Sequence, residues 1–103
     1  MALVEISIIP VGTSTTSMGD YIADAVRVLE KAGVKYELSA MGTLFEGTPR
    51  EVFSLARKVH EAAFRRGAQR VVTRIVIDDR RDKQVTMRSK VAAVKRRLKS
   101  GRS

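Results

Sequence analysis

Apolar and polar residues alternate along 3–9, with Val4, Ile6 and Ile8 on one face and Glu5 and Ser7 interrupting the other, a two-residue period that predicts a strand. Pro10 ends it. After a loop at 11–17 dense in Gly, Ser and Thr, the period lengthens to that of a helix: Ile22, Val26 and Leu29 fall at i, i+4 and i+7, with Ala25 and Ala32 beside them. Ser17 is the expected cap, with Asp20 as its capping-box partner and Thr15 and Thr16 as competitors, and Gly33 supplies the left-handed stop.

Residues 35–39 read as a second strand, with Tyr36 and Leu38 facing one way and Glu37 the other. Ala40, Met41 and Gly42 form a turn, and 43–46 must return antiparallel because so short a connection cannot cross over. Thr48, Pro49 and Glu51 supply a cap, a proline at the first helical position and a capping-box carboxylate. The helix they open sends Val52, Leu55, Ala56, Val59 and Ala63 inward and stops at Gly67. Residues 70–77 set Val71, Thr73, Ile75 and Ile77 against Val72, Arg74 and Val76. A charged loop at 78–83 leads to a final helix over 85–99, with Met87, Val91, Val94 and Leu98 on one stripe and its other faces almost wholly basic.

The order β-α-β-β-α-β plus a terminal helix predicts an α+β, ferredoxin-like sandwich with both main helices on one side of an antiparallel sheet and an additional C-terminal helix. The opposite face, assigned Leu3, Ile9, Phe45, Val72 and Val76, is more apolar than water requires, so sheet-to-sheet packing in a dimer is expected.

At 103 residues one domain is expected, over 1–99, with 100–103 a frayed basic tail. No apolar run approaches the ~18 residues of a membrane span, and the amino terminus lacks a signal-peptide pattern, so a cytoplasmic protein with no membrane partner is expected. The absence of cysteine excludes disulfides, thiolate catalysis and zinc ribbons, and His60, the single histidine, cannot build a His-based metal cluster. The net charge of +9 is uneven: residues 1–49 carry 3 basic and 6 acidic side chains, whereas 50–103 carry 17 and 5. Such asymmetry raises a nucleic-acid role, although basic composition by itself reports solubility and non-specific attraction. RNA-recognition domains of this fold stack bases on sheet-face aromatics, and 70–77 contains none, so specific nucleic-acid recognition is disfavoured.

Few constellations suggest chemistry. No Walker loop, dinucleotide fingerprint or nucleophile elbow is present. The run Gly-Thr-Ser-Thr-Thr-Ser at 12–17 opens a helix, as a phosphate cradle does, but lacks the lysine and glycine spacing of a P-loop. Asp78, Asp79 and Asp82 alternate with Arg80, Arg81 and Lys83, a solvated loop of self-pairing charges rather than a cation or phosphate site. Arg74, on a half-buried strand face, needs an acceptor, expected in Glu5 or Glu37, with a ligand anion as the alternative. His60 has no partner at a catalytic spacing, and neither a catalytic residue nor a cofactor is expected.

Three segments carry a resemblance. At Ile6-Ser7-Ile8-Ile9-Pro10-Val11-Gly12-Thr13, at Tyr36-Glu37-Leu38 through Met41-Gly42-Thr43, and at Arg70-Val71-Val72-Thr73 through Ile77 to Lys83, the chain resembles the small ferredoxin-like family of thiamine-binding proteins, over nearly its whole length. The resemblance implies a non-enzymatic binder of thiamine or a related aminopyrimidine, phosphorylated or not, assembled as a homodimer or homotetramer through its sheets and terminal helices. It makes Ser7, Gly12, Thr13, Met41, Gly42 and Thr43 candidate ligand-binding residues, with Tyr36 and Phe45 as the nearby aromatics. Glu5, Glu37 and Glu46 would make the local field favourable to a cation. Gly42→Val is expected to obstruct the ligand or strain the bend. An alternative from another class is an assembly or nucleic-acid-associated protein acting through its basic C-terminal helix.

Overall fold

The computed structural model describes residues 1–12 and 18–101. In chain order these form β1 (Ala2–Pro10), α1 (Gly19–Ala32), β2 (Tyr36–Leu38), β3 (Thr43–Gly47), α2 (Pro49–Arg65), β4 (Val71–Asp79) and α3 (Met87–Ser100). The strands make one antiparallel sheet of order β2-β3-β1-β4, the ferredoxin-like arrangement with an added C-terminal helix. β1 is its central ladder, and the alternation of its side chains sends Ala2, Val4, Ile6 and Ile8 into the core.

Register decides which residues join them. Val4 stands opposite Phe45 and Ile77, and Ile6 opposite Thr43 and Ile75, so these share the face covered by α1 and α2. Phe45 is therefore a fully buried core residue, not part of the outer face expected to carry it. Leu44, one residue earlier, takes that outer position opposite Glu5.

α2 starts as its sequence dictates. The Glu51 amide donates to Thr48 Oγ1 (3.2 Å), and the Thr48 amide donates to Glu51 Oε1 (2.9 Å), which satisfies two donors that helix geometry leaves unpaired. Val52, Leu55, Ala56, Val59 and Ala63 are buried, and His60 Nδ1 lies 2.7 Å from Thr73 Oγ1, tying the helix to β4. α1 differs from the expected stripe by one residue. Its buried row is Tyr21, Ala25 and Leu29, while Ile22 is left exposed. Two neighbouring rows of the helix were apolar enough to face the sheet, and burying the Tyr21 ring over the small Ala25 prevails. The N-cap position belongs to Met18, which makes no side-chain cap bond; Thr15, Thr16 and Ser17 lie outside the described residues.

α3 begins at a second capping box, Thr86 with Ser89, and runs through Ser100 rather than stopping at 99. Its amino end is held on the outer face of the sheet, where the Met87 amide donates to Glu46 Oε2 (3.0 Å) and Lys90 Nζ lies 2.9 Å from Asp78. Glu46 is only 5% exposed there, so β3 presents a covered carboxylate to a helix N-terminus. The remainder of α3 projects. A radius of gyration of 15.7 Å, against about 13 Å for a compact chain of this length, reflects that arm. No described helix is long and apolar enough to cross a membrane.

Candidate functional site

β3 pairs with β1 only from Ala2 to Ile6, whereas β4 pairs with it through Pro10. Residues 7–10 of β1 thus have a strand on one side and the end of the β2–β3 hairpin on the other. A cavity of about 320 Å³ occupies this interruption, near the lower end of the ~300–1,000 Å³ usual for small-molecule sites.

The hairpin end is built by the Ser39 amide and hydroxyl, which both donate to the Gly42 carbonyl at 3.0 and 2.7 Å and close the bend over Ala40 and Met41. Met41 is left 85% exposed at the tip, and Leu38 62%. Across the cavity, Met18, Ile22 and Ala25 of α1 and its approach supply an apolar roof, while Ile6, Ile8 and Ile9 form the β1 wall. The one-residue rotation of α1 explains why Ile22 is available. Polar groups enter at two levels. Thr43, 4% exposed, sits on the helix-covered face opposite Ile6, whereas Ser7 and Arg74 stand opposite each other on the outer face. The helix-side walls are apolar apart from Thr43, and the outer end holds Ser7 and Arg74 beside Ile9, which gives the cavity a gradient in charge.

Four of the six residues singled out from sequence, Ser7, Met41, Gly42 and Thr43, line this one cavity. Gly12, in the left-handed region at φ 71°, is not among its lining residues, and Thr13 lies outside the described residues. Neither expected aromatic contributes: Phe45 is in the core, and Tyr36 pairs with it beyond the far wall. Of the expected acidic residues, none is in the described lining: Glu46 is engaged with α3, and Glu5 stands behind Gly42 with its carboxyl carbon 3.6 Å from where a Gly42 Cβ would lie. Arg74 also departs from expectation. None of the ion pairs among the described residues includes it, so neither Glu5 nor Glu37 neutralises it. Its setting in an otherwise Val- and Ile-rich strand is the sequence signal that singles it out.

Gly42 has a different purpose from a left-handed turn, because its φ is not positive. A Cβ there would come within 3.2 Å of both the Ile6 carbonyl oxygen and Glu5 Cγ, so its bareness lets the hairpin end seat against β1.

The furrow between the main helices and the charged loop are less suited to a small ligand. A wide furrow between α1 and α2 is lined by Asp24, Arg27, Lys31, Arg65 and Arg66. Its carboxylate is already committed. Arg66 donates to Asp24 through Nε and Nη2 (3.0 Å for the latter), and this bond, with help from Arg27, holds the Asp24 carboxyl below its ordinary value against the opposing effect of burial. In the 78–83 loop Arg80 pairs with Asp82 and Arg81 with Asp79, as a self-paired solvated loop should.

Comparison with known proteins agrees with this fold. Residues 4–95 match the family model described as thiamine-binding protein. The UPF0045 protein YqgV of Bacillus subtilis is 43% identical over 95% of this chain and 98% of its own length, and the UPF0045 protein of Methanothermobacter thermautotrophicus is 42% identical over 95% and 100%. Among solved structures, a hypothetical protein of Methanocaldococcus jannaschii superposes with a TM-score of 0.82 at 34% identity, covering 90% of this chain and 94% of that one. A Thermotoga maritima protein named for thiamine biosynthesis or salvage shares the fold, with a TM-score of 0.74 at 22% identity over 90% and 97% of the two chains.

Proposed function

The chain belongs to the thiamine-binding protein family, and from that premise we propose that it binds thiamine or a related aminopyrimidine, without transforming it, in the cavity at the open end of the β1–β3 ladder. The observation that carries this is the convergence of Ser7, Met41, Gly42 and Thr43 on one partly enclosed, largely apolar space. An aminopyrimidine is flat, with ring nitrogens that accept and an amino group that donates. Hydroxyls of Ser7 and Thr43 do both, and the edge of β1 beyond Ile6 offers peptide groups in the same plane. Met41, Leu38 and Ile22 would cover the ring faces.

Isothermal titration with thiamine, thiamine monophosphate and free hydroxymethylpyrimidine tests this. We expect saturable binding of at least one compound, weakened about tenfold by Thr43→Val through loss of one buried hydrogen bond. Flat titrations for all three would sink it.

The outer face supports a second element of the proposal, a homodimer or homotetramer. Val72 and Val76 of the sheet and Val91, Val94 and Leu98 of α3 are exposed large apolar residues, and a groove of about 360 Å³ joins Leu3, Leu44 and Val76 to Met87 and Val91. A second copy laid on this face would bury them. Light scattering should report an oligomer that Val94→Asp with Leu98→Asp dissociates; an unchanged mass would remove this element. The competing role for α3 is an acidic partner, favoured by Arg88, Lys95, Arg96 and Lys99, which make no ion pair among the described residues. It predicts an interaction at low salt that is lost on truncation after Lys83.

A further inference from the structure

We propose that the cavity selects the phosphorylated form of its ligand, with Arg74 as the residue that binds a phosphate monoester and discriminates against the free alcohol. This rests on the reading that the cavity takes an aminopyrimidine. Among the described residues that line it, Arg74 carries the one ionisable side chain, a guanidinium. The site's own charge is therefore positive, although the half of the chain that supplies most of its walls is acidic in excess.

None of the nearby carboxylates forms an ion pair with it. Glu46 accepts from the Met87 amide, Asp78 pairs with Lys90, and Glu5, whose carboxyl carbon stands behind Gly42, makes no ion pair with Arg74 among the described residues. The contrast with the end of the same strand is informative. Arg80 and Arg81 each find an aspartate two residues away, while Arg74, opposite Ser7 in the ladder, has no carboxylate within ion-pair distance among the described residues. Its position matches the gradient of the cavity. Apolar groups line the helix side, where a heterocycle would lie, and Arg74 with Ser7 stands at the outer end, where a phosphate ester attached to that ring would emerge. A guanidinium fork there can bind two phosphate oxygens while the Ser7 hydroxyl donates to a third. A ligand with no anionic group would make no such bond to Arg74.

The test is a paired titration of thiamine against thiamine monophosphate, and of hydroxymethylpyrimidine against its monophosphate, in the parent, in Arg74→Gln and in Arg65→Gln. Arg65 lies in the furrow between the helices and controls for the general positive field of the protein. We expect the parent to prefer the ester about tenfold or more, Arg74→Gln to abolish the preference while leaving alcohol affinity within about threefold, and Arg65→Gln to preserve it. The preference should also strengthen as pH rises through about 6, where the ester gains its second charge, a dependence that Arg74→Gln should flatten. Equal affinity for ester and alcohol in the parent, equal weakening of both by Arg74→Gln, or equal loss in Arg65→Gln overturns the role of Arg74 while leaving the binding site standing. Silence toward all four compounds overturns the role together with the site.

Discussion

Gly42 offers the sharpest test of how the site is assembled, because its lack of a side chain serves packing rather than backbone freedom. With φ outside the left-handed region, Gly42→Ala incurs no backbone strain and narrows the unfolded ensemble, a gain of about 0.4–1 kcal/mol. Against that, the new Cβ sits 3.2 Å from the Ile6 carbonyl oxygen and 3.2 Å from Glu5 Cγ, and each must give by a few tenths of an ångström. Glu5 can swing, but the Ile6 carbonyl belongs to the central strand, flanked by β3 and β4. The two effects for alanine nearly offset, and the net cost should be below about 1 kcal/mol. Valine adds two methyl groups at the same point, and its cost should enter the overpacking range of about 1–3 kcal/mol. In a chain of this length each kcal/mol lowers the melting temperature by about 4–8 °C. Thermal unfolding followed by circular dichroism, with ligand titration of the same samples, separates the outcomes. A valine variant as stable as the parent would refute the close approach between hairpin and β1, and one that also bound ligand normally would remove Gly42 from the cavity wall.

Other substitutions report on different parts of the frame. Thr48→Ala opens the capping box of α2 and should cost about 1 kcal/mol in urea unfolding, with Thr48→Ser close to the parent. Because Asp24 titrates below its ordinary 3.8 when bonded to Arg66, its contribution is complete above about pH 4 and drains away as pH falls through the folded-state value. The gap in melting temperature between parent and Asp24→Asn should therefore be widest near neutrality and narrow toward pH 3; a gap independent of pH would contradict the pairing. Glu46→Ala removes the acceptor that holds the start of α3, so amide exchange at Met87 should accelerate while that of the β1–β4 ladder stays unchanged. Equal protection in parent and variant would show that the helix is anchored by something else.

Much of this fold was legible because local signals were redundant. The α2 start combined a threonine cap, a proline and a capping-box glutamate in four residues, and the short 40–42 connection left antiparallel return as the only option. What escaped were choices between two physically similar alternatives. Thr43-Leu44-Phe45-Glu46 alternates equally well with Leu44 or Phe45 inward, and only the register with Val4 decides for Phe45. The adjacent apolar rows of α1 differ by one residue, and which one faces the sheet depends on how Tyr21 packs. Thr86 and Ser89 form a capping box with serine in place of the usual glutamate, a weaker sequence signal, and α3 starts at Met87 rather than at 85. For the cavity, the turn and strand-end residues were readable as Ser7, Met41, Gly42 and Thr43, but Met18, Ile22 and Arg74 come from elements that meet there only in three dimensions.

That meeting follows from a mismatch in strand length. β1 and β4 each span nine residues, while β3 spans five, so a ladder satisfied on one side of β1 runs out on the other after Ile6. A paired sheet would fill the space with backbone. Here the hairpin turns away at Gly42, α1 closes the helix side with Ile22, and the outer side is left to Ser7 and Arg74. The resulting gap is lined from both faces of the sheet, and its two sides inherit the chemistries of those faces. A ligand apolar at one end and anionic at the other would satisfy both without rearrangement. A purely apolar guest would leave Ser7 and the exposed Arg74 guanidinium to water, whereas a small anion alone would leave the helix-side wall empty. The architecture thus argues for an amphipathic guest before any particular compound is considered.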